Sequence, residues 1–282
     1  MPWVQELKRV SKWMPPNQND IAWDDLKAVE VIVPPVLRQH EIADFLDAET
    51  ARIDALIEKK QRMVGLTEAR WEILVRHRLE ALGHVMALKR RWRVIDCKHR
   101  TPTYVEDGYP VVSPGDITRE RLSLSRCHRF VDDADFADLT EGRRPRRGDI
   151  IYSRNASAGI AAYVDTDQPF CMGQDVCLIT SAHEDQRFLM YALNSLGADQ
   201  LEPLRIGSTI TRINVDQIGT IRVPAPPVDD QRRTADALDS DRARVDVARD
   251  ALAQQIDLLR ERRQALITAA VTGQLDVTRA AA

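Results

Sequence analysis

The sequence repeats itself. Val33-Pro34-Pro35-Val36-Leu37-Arg38-Gln39, leading into Ala43-Asp44-Phe45-Leu46-Asp47, returns 192 residues later as Ala225-Pro226-Pro227-Val228-Asp229-Asp230-Gln231, leading into Ala235-Asp236-Ala237-Leu238-Asp239. The register holds without a gap through Arg52/Arg244, Asp54/Asp246, Leu66/Leu258, Arg70/Arg262 and Leu74/Leu266. Self-similarity over so long an offset means two copies of one element with a domain between them.

The repeated element reads as a helix with a heptad seam. Alternating steps of four and three from Leu46 reach Thr50, Ile53, Ile57, Lys60, Val64, Thr67, Trp71, Leu74, Arg78 and Ala81. The same steps from Leu238 reach Arg242, Val245, Arg249, Leu252, Ile256, Leu259, Arg263, Leu266, Ala270 and Gly273. Apolar side chains dominate both series, and a period of 3.5 specifies helices that wrap around each other. Proline cannot sit inside a helix, so the chain arrives extended at Pro34-Pro35 and Pro226-Pro227 and turns helical just after. Gly83 and Gly273 suit the far ends, where a left-handed residue closes a helix. A helix of about 40 residues is roughly 60 Å long. Two such rods, one on each side of a domain, fold back most simply as an antiparallel coiled coil.

Between them the chain reads as mostly β. Tyr109–Ser113, Gly148–Ser153, Ile160–Val164 and Asp175–Ile179 are short β-branched or aromatic runs bounded by Gly, Pro and Asp, while Phe188–Leu196 has helical spacing. The expected class is α+β: a mostly β domain flanked by two long helices.

With 44% hydrophobic and 29% charged residues, the 282-residue chain can bury a sizeable core. It has no signal-like start and no apolar run long enough to span a bilayer, so the expected location is cytoplasmic, with no membrane partner. The four cysteines, Cys97, Cys127, Cys171 and Cys177, form no CxxC pair and are expected to be reduced and buried. Cys97 with His99, or Cys127 with His128, lacks the tight spacing of a structural zinc site, so no metal is expected.

Charge in the middle segment is balanced, and only local runs hint at nucleic acid: Lys89-Arg90-Arg91-Trp92-Arg93 and Arg143-Arg144-Pro145-Arg146-Arg147. Such runs are also ordinary solvated surface.

Several segments together carry a family resemblance. The proline pair followed by Gln and Ala-x-x-Leu-Asp occurs at both Pro34 and Pro226. Asp96-Cys97-Lys98-His99-Arg100-Thr101-Pro102, Arg147-Gly148-Asp149-Ile150-Ile151 and Gly207-Ser208-Thr209-Ile210 fall in order between them. Over about residues 21–277 the chain resembles the specificity subunit of a type I restriction-modification enzyme. That family is built from tandem target recognition domains, each followed by a conserved helix.

The resemblance implies a remnant of a first recognition domain at 1–33, a spacer helix at 34–86, one complete recognition domain at 87–224 and a second conserved helix at 225–282. Ile21-Ala22-Trp23-Asp24-Asp25-Leu26 aligns at the same offset with Ile213-Asn214-Val215-Asp216-Gln217-Ile218, so the body of a first domain is expected to be missing.

The function implied is non-catalytic reading of double-stranded DNA without a cofactor. Arg100, Arg143, Arg144, Arg146 and Arg147 supply cations for phosphates, with Thr101 in the entry segment. Arg154 and Asn155, which follow the Gly-Asp strand, are the residue types that bond guanine and adenine bidentately. Gln174, Thr209, Thr211 and Arg212 are further candidates, and each of these side chains also fits a plain loop or capping role. The implied seam is Leu46, Ile53, Ile57, Val64, Trp71 and Leu74 against Leu238, Val245, Leu252, Ile256, Leu259 and Leu266. The implied partners are methyltransferase subunits, a restriction subunit joined through the complex, and a second copy of the chain, which would make the target a split palindrome.

Catalytic signatures are missing from the sequence. Neither proline pair sits in the Asn/Asp-Pro-Pro-aromatic setting of an adenine methyltransferase, and no phosphate-cradling Gly-x-x-x-x-Gly-Lys-Ser/Thr loop occurs. Glu58-Lys59-Lys60 has the letters of a nuclease motif, but Lys60 falls on a helical seam where a metal-binding strand is needed. A second reading is a recombining fragment that keeps only its helix-mediated binding to the methyltransferase.

Overall fold

Pro35 and Pro227 each stand immediately before a long helix in the computed structural model, which describes residues 9, 11–14, 18–29, 33–155, 159–201 and 213–277. In chain order, a hairpin of β1 (Lys12–Met14) and β2 (Gln18–Asp20) precedes α1 (Trp23–Lys27) and the long α2 (Val36–Glu80). The central domain then runs β3 (Val85–Ala87), β4 (Arg93–Asp96), β5 (Tyr109–Val112), β6 (Ile117–Thr118), β7 (Glu120–Leu122), β8 (Phe130–Val131) and α3 (Asp133–Thr140). It continues through β9 (Ile150–Ser153), β10 (Ala161–Tyr163), β11 (Cys171–Met172), β12 (Val176–Thr180), α4 (Gln186–Ala192), α5 (Ala198–Leu201), α6 (Val215–Thr220) and β13 (Arg222–Pro224). The second long helix, α7, is Val228–Val271. No helix among the described residues is long and apolar enough to cross a membrane.

Two compact units share these elements: residues Met1–Thr67 with Asp246–Ala282, and residues Glu68–Val245. In the first, α2 and α7 pair antiparallel. Arg38 bonds Asp276 at 2.9 Å, Arg263 bonds Asp54 at 3.0 Å, and Lys60 donates to Gln255 at 2.5 Å, so low numbers on one helix meet high numbers on the other. Ile53 and Ile256 are buried; Leu46, Ile57, Val64, Leu252, Leu259 and Leu266 are half-buried, while Asp54, Ala55 and Leu56 beside Ile53 lie exposed. Thr50 and Thr67 lie on the same seam because their hydroxyls donate to the carbonyls of Leu46 and Met63, at 2.7 and 2.8 Å. Gly83 (φ 74°) and Gly273 (φ 73°) follow the helix ends in the left-handed region where glycine alone is unstrained.

In the second unit the helices enter a true core. Trp71 and Leu238 are buried, with Leu74 and Val245 packed against the same cluster. The centre is a six-stranded sheet ordered β4-β12-β9-β10-β7-β6. Along β9, Ile150 and Tyr152 join the cluster that holds Trp71 and Phe188, whereas Ile151 joins the opposite one with Phe170 and Leu178. Strand side chains alternate between faces, so a strand covered on both sides needs an apolar run, as Ile150-Ile151-Tyr152 supplies. Each such fully buried Ile, Phe or Leu contributes about 1.5–3 kcal/mol. Three-stranded β11-β5-β8 and two-stranded β13-β3 sheets complete the domain.

Three of the four strands read from the sequence lie within their expected runs, and the fourth, β12, extends one residue beyond. The acid-rich stretch Asp132–Asp138 forms the N-terminal cap and most of α3. Asp132 caps it by accepting from the Asp135 amide at 2.8 Å.

Polar contacts around Trp71 join the β-rich part of this unit to both of its long helices. Glu120, at the β6–β7 turn, takes the strained φ of 75°, and its carboxylate accepts from the Trp71 indole at 3.3 Å and lies 3.4 Å from Nε of Arg242. Arg242 in turn stacks over Trp71 at 5.6 Å and bonds Glu68 at 3.0 Å. Tyr191 meets Trp71 edge-on and donates to Asp239 on α7 at 2.7 Å.

Candidate nucleic-acid interface

Strand pairing brings separate loops to one end of the six-stranded sheet. Antiparallel β12 lies between β4 and β9, with Cys177 opposite Asp96 and Val176 opposite Ser153. The ends of β4 and β9 and the start of β12 therefore coincide, and residues 97–104, 154–155 and 173–175 emerge together.

Arg154 organises this end from inside. Its side chain is 4% exposed and pairs with Asp96, its Nε donates to the Ile213 carbonyl at 3.1 Å, and its amide donates to the Asp175 carbonyl at 2.9 Å. The Ile213 amide returns a bond to the Arg154 carbonyl at 2.9 Å. The expectation that Arg154 reads a guanine is thus corrected: its guanidinium faces inward and ties β4, β9 and Ile213 together. A buried guanidinium needs compensating acceptors around it, and here the Asp96 carboxylate and the Ile213 carbonyl supply them from inside the domain.

The exposed Thr101 and Gln174 and the half-buried Asn155 remain around it. Gln174 donates from Nε2 to the Thr101 hydroxyl at 2.9 Å, which joins two of the expected contact residues. The Asn155 amide lies 3.4 Å from the Asp175 carboxylate. Thr209, Thr211 and Arg212, with the Gly207–Ile210 loop, lie outside the described residues.

The expected cations divide. Arg100 is exposed but pairs with Asp135 and with Asp138, the latter at 2.9 Å, and Lys98 also pairs with Asp138. Arg100 holds the Asp135 carboxyl below the usual carboxylate range, with help from the Thr103 amide; Lys98, then Arg100, does the same to Asp138. Arg143 donates to the Asp96 carbonyl at 2.9 Å and the Glu141 carbonyl at 3.2 Å. Arg144 lies over the Phe136 ring at 5.4 Å. Arg146 and Arg147 precede β9 and so sit at the opposite end of the sheet from Asn155. Arg147 is engaged there by Asp165 and Asp167. The run from Arg143 to Arg147 therefore does not form one patch.

The ligating atoms of Asp96, Cys97 and His99 lie within 4.8 Å of one another. The same Asp96 carboxylate accepts from the Cys97 amide at 2.8 Å and lies 3.0 Å from His99 Nε2, while the Cys97 thiol meets the Gln174 carbonyl at 3.0 Å. A metal ion there would have to displace the Arg154 guanidinium. All four cysteines are free and buried. Burial pushes the Cys127 and Cys171 thiols up to about 12 and raises Cys177 as well, which suits core packing and not nucleophilic chemistry.

The family model for the type I restriction modification DNA specificity domain matches residues 97–256, which span the candidate interface, β13 and most of α7. Among solved structures, the chain is similar to one from work on complex assembly and conformational transition of the type I R-M system. The TM-score is 0.73 at 18% identity, covering 97% of this chain and 68% of that one. It is also similar to the HsdS subunit from Thermoanaerobacter tengcongensis, with a TM-score of 0.54 at 16% identity, covering 96% and 68%. At such identities the likeness concerns the fold.

Proposed function

The chain belongs to the type I restriction-modification DNA specificity family and is a DNA sequence-recognition subunit of that system; from that premise we propose that it reads one half of a split DNA site with the loop end of its six-stranded sheet. The observation that carries the reading is the convergence there of Thr101, Gln174 and Asn155 on a frame pinned by Arg154 and Asp96. Amide side chains on a rigid frame can match adenine or guanine edges in the major groove, and a frame that does not relax keeps their geometry for the correct base. The subunit leaves chemistry to its partners.

Methyltransferase subunits dock on the coiled coil, and the restriction subunit joins through that complex. Leu56, Met63 and Leu66 form an apolar stripe on α2, 46%, 45% and 63% exposed, off the seam used by α7. Helical spacing of seven and three residues is what a further helix packs against. A second copy of the chain supplies the other half-site, so the target is a gapped palindrome.

The test is co-expression with the methyltransferase subunit and mapping of methylated adenines across the host genome. A gapped palindromic motif is expected, and Gln174→Ala relaxes one base position in each half, at about 1–3 kcal/mol of discrimination. A motif unaltered by substitutions at Thr101, Asn155 and Gln174 would sink the assignment of this loop end. Co-purification that survives Leu66→Arg would sink the docking stripe.

A further inference from the structure

Beside the loop end runs an open groove to which the Lys89–Arg93 run contributes, though of the residues expected to contact DNA only Arg143 lines it. It follows β4, the edge strand of the six-stranded sheet, with α6 as its other bank. A volume of about 550 Å³ is lined by Lys89, Trp92, Arg93, Arg143, Asp216 and Gly219 among others. A second hollow of about 410 Å³, lined by Asp96, His99, Arg154, Asn214 and Asp216, continues it to the loop end.

The cations here differ from those elsewhere in the domain. Lys89 and Arg93 are exposed, and neither side chain has an ion pair or hydrogen bond among the described residues. Arg143 bonds only carbonyls, which leaves its charge uncompensated by a carboxylate. Arg91, from the same run, is by contrast turned to Glu184 at 3.2 Å and the Pro226 carbonyl at 2.9 Å. Of the two carboxylates in the groove, Asp96 is paired with Arg154 and Asp216 is exposed.

Lys89 is also seated. A Cβ on Gly219 would lie 3.3 Å from the Lys89 Cβ and 3.6 Å from its Cδ, so the bare glycine on α6 leaves the lysine stem close against the helix, and a methyl group there would press on it. The stem is held while the ammonium stays in water.

We propose that this groove seats the phosphodiester backbone of the DNA whose bases meet the loop end, with Lys89, Arg93 and Arg143 as its phosphate cations. The inference rests on the DNA-recognition reading above. β4 advances about 10 Å from Arg93 to Asp96, on the order of three base pairs at 3.4 Å each. The grip on the backbone therefore lies within one half-site of the bases it registers. Phosphate contacts position a protein and specify nothing by themselves, which separates these residues from Gln174 and Asn155.

The experiment measures binding of the full chain to a random-sequence 30-base-pair duplex over a salt series, with circular dichroism confirming that each variant is folded. For wild type, log K falls linearly with log salt. The Lys89→Gln/Arg93→Gln pair lowers the steepness of that line by about 1.8, at roughly 0.9 per phosphate released, and weakens all sequences alike. Asp216→Asn tightens binding, Gly219→Ala weakens it by displacing Lys89, and Arg146→Gln, at the other end of the sheet, changes neither. If wild type shows the steep salt dependence and the Lys89/Arg93 pair leaves it unchanged while Arg146→Gln lowers it, the groove is overturned and DNA recognition stands. If wild type shows no salt-dependent duplex binding, the recognition reading and the groove fall together.

Discussion

Two arginine–aspartate pairs mark the two ends of the six-stranded sheet, and they do different work. At the loop end, Arg154 is 4% exposed and its partner Asp96 35% exposed, with the Ile213 carbonyl accepting from its Nε. At the other end Arg147 is 48% exposed and its partners Asp165 and Asp167 about 80%. The inner pair is part of the frame, because removing the Asp96 charge leaves a guanidinium that is 4% exposed without compensation. The outer pair exchanges freely with water and salt and contributes little. Burial, not residue type, decides which arginine belongs to the fold.

Asp96→Asn tests the difference most sharply. It strands a buried guanidinium and is expected to cost about 3–5 kcal/mol in urea unfolding. Arg154→Met costs less, because the partly exposed Asp96 can be hydrated. Should Asp96→Asn prove no more damaging than Arg147→Gln, the contrast between the two ends collapses.

An intermediate case lies at the helix junction, where Glu120 and Arg242 are 15% and 16% exposed. Glu120→Gln removes a charged acceptor from Trp71 and Arg242 and is expected to cost about 1.5–3 kcal/mol. A value between those at the two ends of the sheet, read by thermal melting, would place stability in order of burial. Arg147→Gln is expected to leave the melting temperature almost unchanged, and any small effect should fade in high salt.

The smallest effect is one of pH. Arg100 and Lys98 depress the carboxyls of Asp135 and Asp138, so folding gains from these charges above the ordinary carboxylate value. That gain is lost as pH falls through the depressed values. Urea midpoints followed downward from about pH 5 should fall less in the Lys98→Gln/Arg100→Gln variant than in wild type. An identical slope would show that these exposed pairs carry no linkage.

The long helices were legible because their signals are local and repeated. Proline pairs, a 3.5-residue period and closing glycines act within a few residues of one another, and a second copy corroborates the first. The buried strands were legible from their apolar runs. Helix α3 could have been found too, since Asp132 three residues before Asp135 is a cap signal that the density of acid obscured. The site was less legible. Arg154, Arg147 and Arg93 look alike in the sequence, yet one is interior, one is paired at the far end and one is exposed in a groove.

The sequence by itself determined the paired helices, the β-rich domain between them and the family, since periodicity and ordered motifs are properties of the chain read along its length. Only the tertiary structure decided which polar groups face water. That choice depends on where β4, β9, β12 and α6 meet, and on whether a carboxylate distant in sequence arrives beside each cation. For Arg154 it does, from Asp96, and for Lys89 and Arg93 it does not among the described residues.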